Sequence, residues 1–94
     1  MQIGKYIINN NPITHIDLSR RKIYIHHNNG VTKCYLPLKS FESDVFIRVH
    51  RSLIVNSERV AHYDGHKIIM DDGTVLYSSR SMRNNLYASQ SVRY

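Results

Sequence analysis

The stretch FIRVHRSLIVN, residues Phe46 to Asn56, contains two short apolar segments separated by a basic corner. The first segment alternates with the period of a β-strand, which would place Phe46, Arg48 and His50 on one face. The basic pair His50 and Arg51 then interrupts the pattern, before the apolar triplet LIV and a closing asparagine. A buried segment does not need such a corner. We therefore expect a strand, a turn and a second strand, with the corner available to a partner.

Length and composition indicate one small soluble domain. The chain has 94 residues, with 41% hydrophobic and 21% charged residues, which is ordinary for a globular fold. No apolar run approaches the roughly 20 residues of a membrane span, and MQIGKYIINN has no signal-peptide core. The only cysteine, Cys34, cannot form an internal disulfide, which favours a reducing compartment. We expect a cytoplasmic protein.

The charge balance is the most informative bulk property. Thirteen Lys and Arg residues face seven Asp and Glu, giving a net charge of +6 and a pI near 9.7. The excess is uneven, because no acidic residue follows Asp72. Basic residues cluster at three places: Arg20 to Lys22, Arg48 to Arg51, and from Arg80 onward. This pattern suits a polyanionic partner, with solubility as the alternative explanation.

Short strands and turns dominate the rest of the chain. Period-two segments and turn signals (NNG, DG, DDG) predict strands at PITHID, KIYIHH, VTKCYL, RVAHYDG, HKIIMDDG and TVLYS. Apolar spacings of three and four predict a helical turn at LKSFESD and a final short helix at SRSMRNNLYAS. Asn56 is expected to cap a turn. The residues expected to be largely buried are Ile16, Ile23, Ile25, Leu36, Leu38, Phe41, Phe46, Val49, Leu53, Ile54, Val55, Val60, Ile68 and Leu86.

No pattern of catalytic or metal-binding residues is present. His26 and His27 are adjacent, so on a strand they face opposite ways, and there is no Cys-x-x-Cys pair. Asp71 and Asp72 lie in a predicted turn, where aspartate commonly bonds to the backbone. There is no glycine-rich phosphate loop. We expect no catalytic residues, no metal and no cofactor, and hence a protein that is not an enzyme.

Four blocks of the sequence together resemble one family. FIRVHRSLIVN resembles the central signature of LytTR domains, the DNA-binding output domains of many bacterial response regulators in two-component systems. ITHIDLSRRKIYIHH, YLPLKSFE and KIIMDDGTVLYSSRSMRNNL are similar to other segments of the family, in family order over about Ile13 to Leu86. The resemblance implies a mostly β, elongated antiparallel sheet domain with short helical turns. We expect a single LytTR-like domain over residues 1–94, with its core at about 13–88. Most LytTR regulators also carry a receiver domain, and we expect none here, so the chain is either an excised domain or a stand-alone regulator.

The resemblance also implies a way of binding DNA. LytTR domains insert loops, rather than a helix, into the major groove, and use them in transcription regulation. The matching base contacts are Arg21, Arg51 and Arg80, and arginine suits the two acceptors of guanine. Loop length varies at the first position, so Arg20 or Lys22 is an alternative to Arg21. The implied partners are double-stranded promoter DNA with repeated half-sites, and a second copy of the chain on that DNA. The expected contacts to the DNA backbone are Arg20, Lys22, His50, Ser78, Ser79 and Arg83.

We expect the residues of the basic corner to have two different roles. We expect Arg48 and His50 mainly to hold the corner in place, while Arg51 projects from it.

Two other function classes share the same charge. A small RNA-binding β module would need exposed aromatics for stacking on bases, for which Tyr24 and Tyr35 are candidates. A protein-interaction domain would place the basic face against an acidic partner. Salt-dependent binding to duplexes but not to single strands would separate these classes from DNA recognition.

Overall fold

Antiparallel strands make up most of the secondary structure in the computed structural model of the chain. The structure describes residues 2–3, 6–7, 12–28 and 30–91. The predicted mostly β, antiparallel class is confirmed. The strands are β1 (Gln2–Ile3), β2 (Tyr6–Ile7), β3 (Ile13–Ser19), β4 (Lys22–His27), β5 (Gly30–Cys34), β6 (Phe46–His50), β7 (Leu53–Asn56), β8 (Val60–Asp64), β9 (Lys67–Met70) and β10 (Val75–Tyr77); the helices are two 3₁₀ helices, Leu38–Phe41 and Ser57–Arg59, and α1 (Arg83–Ser91).

The strands in the described ranges form three sheets. The largest has the order β5-β4-β3-β7-β6, a second has the order β10-β9-β8, and β1 pairs with β2. The predicted hairpin between β4 and β5 is present, with His27 opposite Gly30, although Asn29 lies outside the described residues. Gly30 has a φ of 135°, a conformation that side chains rarely adopt, which explains a glycine at this turn.

One face of the five-stranded sheet is covered by the first 3₁₀ helix. Leu38 and Phe41, three residues apart as predicted, both point into this core from the helix. Each is almost completely buried, so the helix closes this face with little more than one turn of chain. The sheet residues of this first cluster are Ile13, Ile16, Ile23, Ile25, Phe46 and Ile54.

The second sheet and α1 cover the opposite face around β6 and β7. Ile54 and Val55 are neighbours on β7 and belong to different clusters, as strand alternation requires. Val55 packs with Val49 in this second cluster. Its other members are Ile68 and Met70 of β9 and Leu86 of α1. The stretch from 46 to 56 therefore supplies buried residues to both cores, which is why it decides the fold.

Three residues expected in the core are only half-buried: Leu36, Leu53 and Val60. Leu36 follows the end of β5, an edge strand that is shorter than predicted. Leu53 begins β7 beside the corner, and Val60 begins β8, the outer strand of its sheet. Each packs on one side only, because it lies at the margin of a cluster.

A bulge modifies the simple alternation of β6. Arg48 pairs with Ile54 and His50 pairs with Leu53, so Val49 is an extra residue between them. The expectation that residues 46, 48 and 50 share one face therefore holds only as far as Arg48.

Asn56 has the predicted capping role. Its side-chain oxygen accepts a hydrogen bond of 3.0 Å from the backbone N–H of Glu58, and its amide donates to the Ile13 carbonyl at 2.9 Å. The side chain is buried and so ties β7, the following 3₁₀ helix and β3 together.

No helix among the described residues is long and apolar enough to cross a membrane.

A pair of stacked histidines lies on the second face of the large sheet. The rings of His15 and His26 lie 4.0 Å apart and nearly parallel. Thr14 donates its hydroxyl hydrogen to the His26 carbonyl, so its oxygen is free to accept from His15 Nδ1 at 2.9 Å. Burial, and secondly the neighbouring His26, lower the pKa of His15 from 6.5 to about 4.

This low pKa predicts acid sensitivity of the fold. The unfolded chain takes up the His15 proton near pH 6.5, whereas the folded protein takes it up near pH 4, so stability should fall between these values as the pH is lowered. The full shift corresponds to about 3 kcal/mol, and partial solvent access reduces the expected loss to about 2 kcal/mol. Urea unfolding of the wild type and His15→Gln from pH 7 to 4 measures the difference. The exposed His62→Gln is the control, and equal pH slopes for all three proteins would refute the assignment.

Candidate nucleic-acid interface

Two basic turns lie side by side at one end of the large sheet. Arg20 and Arg21 form the turn between β3 and β4, and Arg51 lies in the turn between β6 and β7. Strands β3 and β7 are neighbours, and the backbone N–H of Leu18 donates to the Ser52 carbonyl at 2.9 Å. The two turns, about thirty residues apart in sequence, are thus separated by roughly two strand spacings, or about 10 Å.

The third basic segment is attached to the same end. The backbone N–H of Ser79 donates to the Val49 carbonyl at 2.8 Å, next to the corner. The Asn85 side chain of α1 donates to the Arg48 carbonyl at 2.9 Å. These bonds hold Arg80 beyond strand β6, so the Arg51 turn lies between the other two basic segments. The structure therefore brings the three predicted base-contact residues to one end of the molecule.

The side chains at this end are available to a ligand. Arg21, Arg51 and Arg80 are exposed, as are Arg20 and Arg83, and Lys22 is half-buried. Within the described parts of the chain, none of these six forms an ion pair with an acidic side chain. We call this set the basic end: Arg20, Arg21, Lys22, Arg51, Arg80 and Arg83.

Arg48 holds the corner through the backbone, as predicted. Its Nε donates to the His50 carbonyl at 3.1 Å, and Nη2 donates to the Arg51 carbonyl. The remaining nitrogen, Nη1, lies 3.3 Å from a carboxylate oxygen of Glu42. One planar guanidinium thus satisfies two carbonyls of the turn and anchors it to the segment after the first 3₁₀ helix.

His50 supports the same turn from its other side. The Ser52 backbone N–H donates to His50 Nδ1 at 3.1 Å, and the Ser52 hydroxyl oxygen lies 2.9 Å from the same nitrogen. Because Nδ1 accepts the backbone hydrogen bond, the proton of the neutral ring is on Nε2. The bracing role expected for His50 is therefore present.

Removal of the Arg48 clamp should loosen the corner. We expect Arg48→Ala to lower the free energy of unfolding by about 1–2 kcal/mol, because two carbonyls lose a charged donor. Binding to the preferred duplex should weaken more than binding to a scrambled one, since Arg51 loses its fixed base. Chemical denaturation and binding titrations measure the two effects. Glu42→Ala, which removes only the exposed ion pair, should change either value little; equal changes in the two variants would count against the clamp.

The two serines expected to contact the DNA backbone differ in exposure. Ser78 is 8% exposed, and its hydroxyl has no hydrogen-bond partner in the described structure, so the expected phosphate contact does not fit this geometry. Ser78 directly follows β10, and its backbone N–H donates to the His66 carbonyl at 2.9 Å. Ser79 is half-buried, and its hydroxyl accepts from the Met82 N–H at 3.2 Å, which caps the turn before α1.

A fourth turn at this end was not among the sequence candidates. Gly65 and His66 form the turn between β8 and β9, and Lys67 begins β9; the side chains of His66 and Lys67 are both exposed. The His66 carbonyl accepts from the Ser78 N–H at 2.9 Å, which places this turn beside the Arg80 segment. The Tyr87 hydroxyl of α1 lies 3.3 Å from the Gly65 nitrogen. The DG turn signal followed by His-Lys was visible in the sequence, but its position beside Arg80 was not.

Acidic residues gather at the opposite end. Four of the seven Asp and Glu residues lie there, in the loops before β6, after β7 and between β9 and β10. Arg59 at this end is paired with Asp71 at 2.7 Å, and its Nη1 donates to the Asn28 side chain at 2.8 Å. The molecule is therefore electrically polarised, because its free arginines lie opposite the acidic loops; these loops carry Asp44, Glu58, Asp71 and Asp72.

No group of three or more His, Cys, Asp or Glu side chains in the described regions is placed to hold a metal ion.

Comparison with known protein families places the chain in one of them. The model of the LytTr DNA-binding domain matches residues 4–89 of the chain. The chain belongs to the LytTR family of DNA-binding domains. This family is one of DNA-binding domains of response regulators and is not an enzyme family. Among solved structures, the LytTr DNA-binding domain of a protein named as a methyl-accepting/DNA response regulator from Bacillus cereus superimposes with a TM-score of 0.75. It shares 19% sequence identity, with 100% of this chain and 94% of the other covered, so this match shows the shared fold. A comparison with curated protein sequences found no match.

Proposed function

We propose that this LytTR domain binds double-stranded DNA sequence-specifically by inserting the turns of its basic end into the major groove, and acts as a bacterial transcriptional regulator. Arg21, Arg51 and Arg80 read base edges. The proposed partners are promoter DNA with repeated half-sites and a second copy of the chain on that DNA. The site of action is the cytoplasm. The proposed contacts to the DNA backbone come from Arg20, Lys22, His50, Ser79, Arg83, His66 and Lys67, without Ser78.

The observation that carries this proposal is the convergence of three exposed arginines without acidic partners on separate turns at one end. Each lies on a turn anchored by backbone hydrogen bonds to its neighbour, so the three keep fixed relative positions. A fixed base is what bidentate contact of arginine with guanine needs. The acidic opposite end would repel DNA, which orients the domain with its basic end toward the duplex.

The two other function classes have less support. Tyr35 is 78% exposed and available for stacking, but Tyr24 is half-buried between neighbouring strands. A stacking surface of the RNA-binding kind would need several exposed aromatics on one strand face. An acidic protein partner would require charge complementarity, but not three arginines on rigid turns.

Selection from a pool of randomised duplexes tests the proposal directly. We expect an enriched motif of two parts or a direct repeat. It should contain guanines at the positions that the three arginines contact. Single-stranded DNA and RNA of the selected sequence should bind much more weakly than the duplex. A pool that shows no enrichment, or single strands that bind as well as the duplex, would contradict sequence-specific recognition of DNA.

A further inference from the structure

The turn at Arg20 and Arg21 has an unusual backbone. Ser19 pairs with Lys22, so the turn between β3 and β4 contains only two residues. Their φ values are 51° and 67°, and both lie in the left-handed region. Positive φ at both central residues defines a type I′ turn, whose twist matches that of the flanking strands. Asparagine and glycine are the residues that favour this turn, whereas arginine is strained in it because of its β-carbon.

The arginine side chains do not compensate for this strain. Both are exposed, so they bury little apolar surface in the fold. Within the described residues, neither side chain has a hydrogen bond or an ion pair. Lys22 follows directly, so three positive charges are adjacent at the tip of the hairpin. In the free protein this tip therefore lowers stability through backbone strain and through repulsion of like charges.

We propose that the strained Arg20–Arg21 turn is a preorganised two-arginine clamp for duplex DNA, in which binding is gained at the expense of fold stability. Arg21 contacts a base edge, and Arg20 contacts the adjoining phosphate from the same rigid tip. A two-residue turn has almost no backbone freedom to rearrange, so the Cα atoms of both arginines keep fixed relative positions and only the side chains have to be ordered on binding. A bound polyanion also removes the repulsion among the three charges. This inference rests on the proposed function, because it assumes that the basic end meets DNA.

Two double variants separate strain from charge. Arg20→Asn with Arg21→Gly gives the turn its preferred residues and removes both charges. Arg20→Gln with Arg21→Gln removes the same charges but leaves side chains with β-carbons in the left-handed region. We expect the Asn-Gly variant to melt about 5–10 °C above the wild type, and well above the Gln-Gln variant. Both variants should bind a duplex selected from the random pool about 10- to 100-fold more weakly than the wild type.

Single variants assign the two side chains. Arg20→Asn should weaken binding to the selected duplex and to a scrambled duplex by similar factors, as loss of a phosphate contact does. Arg21→Gly should weaken binding mainly to the selected duplex.

Three results would contradict the proposed clamp. A melting temperature of the Asn-Gly variant no higher than that of the Gln-Gln variant would show that the turn is not strained. Wild-type affinity in the Asn-Gly variant would show that the tip does not contact DNA and that Arg20 and Arg21 are not DNA contacts, while specific duplex binding by the wild type would still support DNA recognition through the other turns. Absence of duplex binding by the wild-type chain would instead overturn the proposed function together with the clamp.

Discussion

Raising the salt concentration from 50 to 200 mM should weaken binding of this domain to duplex DNA by about 250- to 1,000-fold. The reason is counterion release, because each phosphate neutralised by a basic side chain contributes roughly −0.9 to the slope of log affinity against log salt. If about five of the basic side chains proposed as backbone contacts reach phosphates, the slope is about −4 to −5. This electrostatic part of the affinity should be nearly the same for every sequence, since phosphates carry no sequence information.

Charge variants at and away from the basic end provide the controls. Lys22→Ala or Arg83→Gln should each make the slope less negative by about 1 and should weaken binding to all duplexes about equally. Lys39→Ala removes one exposed charge from the first 3₁₀ helix, outside the terminal turns, and should leave the slope almost unchanged. Titrations at four salt concentrations are sufficient. A slope near zero for the wild type would rule out binding led by phosphates, and an equal effect of Lys39→Ala would mean that the basic end is not the contact surface.

Truncation of Arg51 to alanine should reduce affinity for the preferred site by about 5- to 150-fold, which corresponds to about 1–3 kcal/mol. Arg51 is exposed, and its own carbonyl is held by Arg48, so its side chain projects from a fixed backbone. The variant should also lose discrimination at one base position, because a bidentate contact specifies a single base pair. Stability should change little, since the Arg51 side chain is not part of either core.

Comparison of specific and scrambled duplexes decides the role of Arg51. A base contact predicts a large loss on the preferred duplex and a small loss on the scrambled one. Arg51→Lys retains the charge but not the two-donor guanidinium group. Its selectivity for the preferred duplex should therefore be as low as that of the alanine variant, while its affinity for scrambled DNA should equal that of the wild type. Equal losses on both duplexes in Arg51→Ala would identify Arg51 as a phosphate contact, and its assignment as a base reader would be wrong.

Local patterns in the sequence predicted the individual elements well. Alternation in KIYIHH, the spacing of Leu38 and Phe41, and the predicted helix around Leu86 each correspond to an element of the structure. These features are visible because strand and helix periods depend only on near neighbours along the chain. The predicted capping by Asn56 and the bracing of the corner by Arg48 are local for the same reason.

Features that depend on contacts between distant segments were less predictable. Ser78 is buried where its backbone N–H bonds to the β8–β9 turn, and Leu36, Leu53 and Val60 are half-buried because they lie at cluster margins. Composition cannot indicate which end of a strand is covered by another sheet. The turn with His66 and Lys67 was overlooked because its place beside Arg80 depends on how the second sheet packs.

Some features of the basic end are visible in the sequence, and others exist only in the folded structure. Its three arginines, their clusters and the family signature are all present in the linear order of residues, because charge and motif are properties of the sequence. Their convergence on one end depends on the strand order β5-β4-β3-β7-β6, which makes neighbours of turns about thirty residues apart. The strain at Arg20 and Arg21 is also a property of the folded chain alone. No rule for turn residues selects two arginines, so the paired strands on either side must impose the left-handed backbone on them.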